Sequence, residues 1–395
     1  MTERVHPREV ARALRRSDLS GSFVAGRYAL APYMACSHGC AYCDGRAERY
    51  WVEGDFDRDI VARRNLPDLL AAELPKLREP GFVTLGSGIT DAYQPLERSE
   101  RITRRCLEVL ADHDYPVTVM TKASLPLRDL DLFRRINERS RVLFIVSLVH
   151  ADDATRAVYE PGAASVDERL EALRTFADAG CATGVLAMPF LPGITDADDQ
   201  MGCLYDRLAV ARVDFIQPGG LTLRPGRQKR FFLDRLAADQ PGLRASYDEL
   251  YAEERASGAP RAAYTRELSL RSLAHNRRVR VPHLVPHRVY RDQLLAYDEA
   301  ALLTAHMVDL YAASGAETTR LRAARTLYLE WLLARKREYN RHPSWDYREL
   351  AEELVAPGAL ESIVANERLA AFLRRVLTGR ACFDYVSLEL VERED

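Results

Sequence analysis

The sequence predicts an α/β protein: six βα units that curl into an open partial barrel, followed by a mainly helical C-terminal region. Apolar, β-branched runs alternate with amphipathic stretches from Tyr28 to Leu208, the signature of strands crossing over through helices into a parallel sheet. Beyond Gly219 the strand signal fades and the chain turns helical and charged. At 395 residues the chain holds one large domain of roughly 200–250 residues and a smaller attachment.

The first strand is expected near Tyr28–Ala31, and the others at Phe82–Gly86, Pro116–Thr121, Val142–Val149, Thr183–Pro189 and Asp214–Gln217. Helices are expected near Asp68–Leu77, Ser99–His113, Asp129–Arg139, Val166–Ala179 and Ala197–Leu208. In the fourth of these, Leu170, Leu173, Phe176 and Ala177 line one face and Gly180 ends it. Right-handed crossovers turn such a series into a curved, unclosed sheet. Further on, Arg244–Ala256, Leu294–Ala313, Thr318–Glu338 and Tyr347–Leu354 read as helices between prolines, and Cys382–Val391 as a closing strand. The division that follows is residues 1–22 as an N-terminal extension, 23–226 as the barrel and 227–395 as the helical region.

Hydrophobic residues make up 47% and charged residues 29%, ordinary for a protein with a sizeable core. No stretch reaches the ~18 apolar residues of a membrane span, and MTERVHPREVARALRR lacks the apolar centre of a secretory signal. Seven cysteines with three of them clustered argue against disulfides, so a reducing, cytoplasmic setting is expected. The net charge of −2 excludes a surface that is basic all over, although Arg224 to Arg291 holds 15 Lys/Arg against 7 Asp/Glu, a local excess of 15 − 7 = +8.

The most telling run is APYMACSHGCAYCDG, with Cys36, Cys40 and Cys43 at C-x3-C-x2-C spacing. Three thiolates on one loop suit an iron–sulfur cluster that keeps one iron open. Zinc would need His38 or distant residues to complete four ligands, and no second C-x2-C knuckle follows. A redox pair of Cys40 and Cys43 leaves Cys36 unexplained.

The run resembles the radical S-adenosylmethionine (SAM) enzymes, in which three such cysteines hold [4Fe–4S], an aromatic residue, here Tyr42, precedes the third, and the open iron chelates SAM. Tyr33, Cys36, His38, Gly39, Cys40, Tyr42 and Cys43 are similar to the loop of the spore-photoproduct-lyase-like branch. The resemblance implies a (β/α)6 partial TIM-type barrel, in agreement with the pattern, and spans roughly Arg27 to Gly226.

On parallel βα folds, ligands gather at the carboxyl ends of strands. After the second strand, GSGITDAYQPLE offers close backbone approach at Gly86 and Gly88 and hydroxyls at Ser87 and Thr90. Its TDAYQPLE portion, with Asp91, resembles the same branch, which implies a SAM amino-group site here. At the third strand end the resemblance implies that Lys122 pairs with the SAM carboxylate. Ser147 ends the fourth strand; Glu160 either meets the SAM ribose or amine or caps a helix. The turn at Pro189, with Met188, Phe190 and Leu191, is where the resemblance implies adenine binding.

Cys106, Cys181, Cys203 and Cys382 lie far apart, so one cluster is expected, with these four read as buried small hydrophobes or, for one of them, a hydrogen donor. His283 and His287 have H-x3-H spacing, but Pro282 and Pro286 oppose a regular metal-binding helix, so satisfied or surface histidines are expected. Arg277, Arg278, Arg280, Arg288 and Arg291 form a basic strip suited to phosphates of DNA or RNA.

The resemblance implies that an external one-electron reductant, the cluster and SAM yield a 5′-deoxyadenosyl radical that abstracts hydrogen from a substrate. Photoproduct lyase also uses a cysteine hydrogen donor near the second strand end, and Leu85–Asp91 here contains none. Asp44 stands where that family has a second tyrosine beside the third cysteine. The expected substrate is a DNA lesion, with RNA, a protein or a small molecule as alternatives. A zinc-stabilised nucleic-acid-binding protein is the alternative from another class.

Overall fold

A computed structural model describes residues 3–19 and 24–392. The chain divides into two compact units: Met1–Arg15, Tyr28–Leu74 and Val83–His283 form the first, and Arg16–Arg27, Pro75–Phe82 and Leu284–Asp395 the second.

Six strands of the seven-stranded sheet are β1 (Gly26–Leu30), β2 (Phe82–Leu85), β3 (Val117–Thr121), β4 (Val142–Ser147), β5 (Ala182–Phe190) and β6 (Phe215–Gly220), in the spatial order β6-β5-β4-β3-β2-β1, with the two-residue strand Arg15–Arg16 at the edge beside β1. Strands β2 to β6 pair in parallel. Helices follow the strands as crossovers: α1 (Leu66–Glu73), α2 (Ile102–Asp112), α3 (Leu130–Arg139), α4 (Val166–Asp178) and α5 (Asp198–Val210). Strands each beside their predecessor in chain order are the arrangement of a partial TIM-type barrel. The expected strands are all present, within two residues of their predicted starts.

Register decides which side chains face the mouth. Phe144 stacks on Phe176 of α4 at 3.8 Å, so even-numbered β4 residues face the helices. The opposite face carries Thr118, Met120, Ile145, Ser147, Gly184, Leu186, Phe215 and Gln217, aligned through Met120↔Ile145, Ile145↔Gly184 and Gly184↔Phe215. Met120, Ser147 and Leu186, near the strand ends, are half-buried, whereas Leu143 and Ile145 below them are fully buried. The accessible end of this face is the carboxyl end.

A capping box at Ser165 and Glu168 starts α4, and Gly180 at φ 75° lets the chain leave it. Sequence reasoning missed a small sheet in which Arg4–Pro7 pairs in parallel with Asp59–Ala62, which pairs antiparallel with Tyr33–Met34. These strands are two to four residues long, too short for a period to register. It also missed the helices α6 (Arg227–Asp239) and α7 (Ala262–Val279); in α7 the apolar positions are sparse, and Leu270 is exposed. The segment after α7 covers the last strand: Ile216 N–H donates to Pro282 O at 2.9 Å, and Asn276 Nδ2 donates to Ile216 O at 2.9 Å.

The second unit packs around Tyr297, Leu303, Met307, Tyr328, Leu350 and Leu373, contributed mainly by α8 (Ala296–Ala313), α9 (Thr319–Arg341), Tyr347–Val355 and α10 (Glu367–Leu377). Its closing segment is not one strand over Cys382–Val391 but an antiparallel hairpin of Ala381–Phe383 with Leu390–Glu392, the chain reversing through Asp384–Glu389. No helix among the described residues is long and apolar enough to cross a membrane.

Candidate functional site

The three cysteines lie on the loop after β1, in the first unit. Cys36 and Cys40 are buried, Cys43 is half-buried, and all three are free thiols. Burial pushes each thiol above its ordinary value, Cys40 to about 12, and their thiolate charges act on one another. Three thiols whose charges act on one another are a donor set that a cationic metal group would neutralise. Among the described residues no group of three His, Cys, Asp or Glu side chains could hold a metal ion. A cubane does not require one, because its cysteines bind three different irons. The donor chemistry therefore fits [4Fe–4S].

The loop is held from below by the T-D-x-Y-Q-P-x-E segment. Thr90 Oγ1 donates to Ala35 O at 2.7 Å, and Gln94 accepts from Ser37 N–H at 2.9 Å while its Nε2 donates to Ala35 O at 3.2 Å. Ala35 needs this support, being a non-glycine residue at φ 67°. Asp91 accepts from Thr121 Oγ1 at 2.9 Å, Tyr93 N–H at 2.8 Å, Lys122 N–H at 2.8 Å and His38 Nε2 at 3.1 Å. Burial opposes its charge, but His38 and these N–H groups hold the carboxyl below the usual range. Glu97 accepts from Tyr33 OH at 2.5 Å and Arg128 at 3.0 Å. Thr90 and Asp91, expected to face SAM, thus spend polar atoms on the cysteine loop.

A second brace comes from the turn after β4. His38 Nδ1 donates to Gly162 O at 2.8 Å, Gly162 N–H donates to His38 O at 2.9 Å, and Ala41 N–H donates to Tyr159 O at 2.8 Å. Glu160 has no exposed surface; its oxygens accept from Tyr42 OH and from Arg169 of α4. Arg169 also donates to Ser147 O at 2.8 Å and Ala164 O at 2.9 Å. Burial opposes ionisation of Glu160, yet Arg169, His150, Lys122 and the Tyr42 hydroxyl hold it well below the carboxylate range. The Glu160 side chain fixes Tyr42, while its backbone N–H donates to Arg156 O at 2.7 Å and caps the helix Asp153–Tyr159.

Arg169 escaped the sequence reading. Its signal was a charged residue within the apolar stripe of α4, between Val166 and Leu173. Gln228 was also missed: its Nε2 donates to Tyr42 O at 3.0 Å and Asp44 Oδ1 at 3.1 Å, and Arg224 donates to Asp44 Oδ2 at 3.1 Å. These partners lie some 180 residues from the loop, beyond the reach of local pattern. His150 is buried, with neither ring nitrogen hydrogen-bonded and Nε2 3.7 Å from Glu160.

Around this loop the strand ends converge. Lys122 Nζ lies 5.8 Å from the Tyr42 ring centroid, and its charge acts on Cys40, Cys43 and Glu160. Gly86 adopts φ 101°, and an added Cβ would sit 3.1 Å from Met120 O. Ser87 and Thr90 bridge across a short turn, and at Gly88 nothing lies within 4 Å of a Cβ position. Pro189 is half-buried and follows a cis Met188–Pro189 bond at the end of β5.

Other expectations resolve differently. Cys106 and Cys181 are buried as expected, but Cys203 is exposed and Cys382 half-buried beside a histidine. His287 is a satisfied buried residue. The basic strip is divided: Arg277, Arg278 and Arg280 belong to the first unit, Arg288 and Arg291 to the second, and Arg278 pairs with Asp206 at 2.6 Å.

The radical SAM superfamily model matches residues 30–201. An uncharacterized protein of Mycobacterium tuberculosis (strain ATCC 25618 / H37Rv) is 31% identical over 233 residues, covering 57% of this chain and 67% of its own length. A radical SAM Nα-GlyT isomerase of Pseudomonas phage M6 is 26% identical over 237 residues, covering 55% of this chain and 47% of its own. Spore photoproduct lyase complexed with dinucleoside spore photoproduct superposes with a TM-score of 0.52 at 19% identity, over 70% of this chain and 79% of that one. The fold is shared with that lyase, and members of the matching family generally use a [4Fe–4S] cluster and SAM. The loop, the strand order and these matches together place the chain in the radical SAM superfamily, as an enzyme of that chemistry.

Proposed function

We propose that residues 23–226 bind a [4Fe–4S] cluster through Cys36, Cys40 and Cys43 and SAM at the mouth of the barrel, to act on a lesion in DNA. When bound, cluster and SAM supply, with an external reductant, a 5′-deoxyadenosyl radical that abstracts hydrogen. The observation that carries the reading is the convergence of Lys122, Tyr42 and Glu160 on Cys40.

The chain's own residues position and exclude. Lys122 is the cation for the SAM carboxylate, with Gly86, Ser87 and Gly88 receiving its amino group. Glu160 and Gln228 lock Tyr42 over the cluster loop, while Thr90 and Asp91 set the loop itself. Ser147 and Pro189 line the ribose and adenine side. Met120, Leu186 and Met188 supply an apolar wall that would keep water from the site.

DNA as substrate is supported by the fold shared with a lyase whose structure holds a dinucleoside photoproduct. A second reading, modification of RNA, a protein or a small molecule, is favoured by one observation: Leu85–Asp91 has no thiol to return hydrogen.

Anaerobic reconstitution tests the core of the proposal. Expected are about four irons and four sulfides per chain and reductant-dependent release of 5′-deoxyadenosine from SAM. Cys40→Ala should abolish cluster assembly, and Lys122→Ala should keep the cluster and weaken SAM binding. A colourless protein that binds zinc would refute it. Turnover of a dinucleoside photoproduct separates the two substrate readings: none, with SAM cleavage intact, leaves the second.

A further inference from the structure

The second unit contains a cysteine, a histidine and a carboxylate in line. His287, on the short helix His287–Tyr290, has no exposed side-chain surface; its Nε2 lies 2.7 Å from Glu299 Oε1 of α8, and its Nδ1 lies 3.3 Å from Cys382 Sγ. Glu299 only accepts when ionised, so Nε2 carries a proton, and the Nδ1 lone pair is shared between the Cys382 thiol and the Phe383 N–H, each at 3.3 Å. This is the nucleophile, base and orienting-acid geometry of an activated thiol. Cys382 is half-buried between the buried residues Ala381 and Phe383. We infer that Cys382, with His287 as its base and Glu299 orienting that base, is a site of thiol–disulfide exchange with low-molecular-weight disulfides.

The surroundings select this chemistry over acyl transfer. An acyl-transfer site needs backbone N–H groups free to cradle an oxyanion. Asp384 N–H donates across the hairpin to Glu389 O at 2.9 Å, and N–H groups alternate sides along a strand. Cys382 N–H therefore points across the ladder, while Phe383 N–H points to His287 Nδ1 at 3.3 Å. Both N–H groups beside the sulfur are committed. Disulfide exchange develops its charge on sulfur and needs no such cradle.

The groups facing His287 are Glu299 from α8, Cys382 from the hairpin and Tyr290 from its own helix, whose ring centroid lies 5.4 Å away. Tyr290 OH is bonded to Tyr385 OH, which also meets His306 Nδ1, both at 2.8 Å. Burial disfavours the imidazolium, but hydrogen bonds to Cys382 and Glu299 favour it and raise His287, so a proton taken from Cys382 is held there.

In the step, the thiol proton passes to His287 Nδ1 and Cys382 Sγ bonds to one sulfur of the disulfide. The S–S bond breaks, and the other half leaves as a thiolate with the electron pair and takes up the proton from His287. One thiol and one disulfide become a mixed disulfide and one thiol. Cys382 is oxidised and the departing half reduced.

The test treats the reconstituted full chain with 4,4′-dithiodipyridine at pH 6, following thiopyridone absorbance and assigning each modified cysteine by peptide mass spectrometry. Exposed Cys203 is the internal reference. Cys382 should react about tenfold or more faster than Cys203, since the thiolate is the nucleophile and His287 stands beside Cys382 to take its proton. His287→Gln should remove that advantage and leave Cys203 unchanged. Because His287 is buried, Glu299→Gln is the second variant, expected to slow Cys382 by several-fold with an unchanged circular dichroism spectrum. Labelling of Cys382 no faster than Cys203 in the unsubstituted protein overturns the inference, as does an undiminished rate in both variants.

Discussion

The carboxylate of Asp91 accepts the backbone N–H of Lys122 at 2.8 Å, which ties the turn after β2 to the end of β3. The same carboxylate holds His38 of the cysteine loop, so one buried side chain sets both the loop and the start of the lysine that faces it.

Asp91→Ala should therefore act on both. Removing one partner of a buried ionic network costs about 3–5 kcal/mol, and iron bound after reconstitution should fall with stability. The check is a comparison with Lys122→Ala by urea unfolding and iron analysis; equal iron content in the two variants would separate Asp91 from the loop.

Gly162 faces the backbone of the loop. A Cβ there would sit 2.6 Å from Ser37 O and 2.8 Å from His38 Cα, and backbone cannot step aside as a side chain would. Gly162→Ala should lose about 1–3 kcal/mol and bind less iron. Thermal melting and iron analysis of the variant would show it, and normal values for both would mean that the turn yields.

Glu160 makes stability depend on acid. Its folded pKa lies below the ordinary carboxylate value of about 4.3. The contribution is complete above that value and drains away as pH falls through the folded value. Glu160→Gln strands Arg169 and should cost about 3–5 kcal/mol at pH 7. The gap from the parent should shrink between pH 4 and pH 2 in urea titrations; a gap independent of pH would contradict the ionic account.

Inside the sheet, Gly184 admits Phe215: a Cβ would fall 1.9 Å from its ring. Gly184→Ala should destabilise by at least about 1–3 kcal/mol, measured by thermal unfolding, with Gly88→Ala as a neutral control because the space there is open. A neutral Gly184→Ala would mean that the ring has another rotamer available.

Strand positions and the cysteine loop were legible because both are local: continuous apolar, β-branched runs and a seven-residue spacing need no tertiary information. The role of T-D-x-Y-Q-P-x-E was legible only as a resemblance. In the structure Thr90, Asp91 and Gln94 brace the cysteine loop. Arg169 and Gln228 were hidden because their partners lie on elements far away in sequence, and nothing in a helix pattern states what a buried charge meets. Cys382 was read as packing because its histidine lies 95 residues earlier.

Pro282 O and Asn276 Nδ2 occupy the outer backbone groups of Ile216 on β6. At that residue the open side of the sheet offers no free template for a further strand. An extended peptide or a second copy of the chain cannot gain register there by strand addition. A partner that met the molecule at that residue would have to do so through side chains and shape, so surface substitution there could alter the contact without disturbing the pairing that holds the barrel.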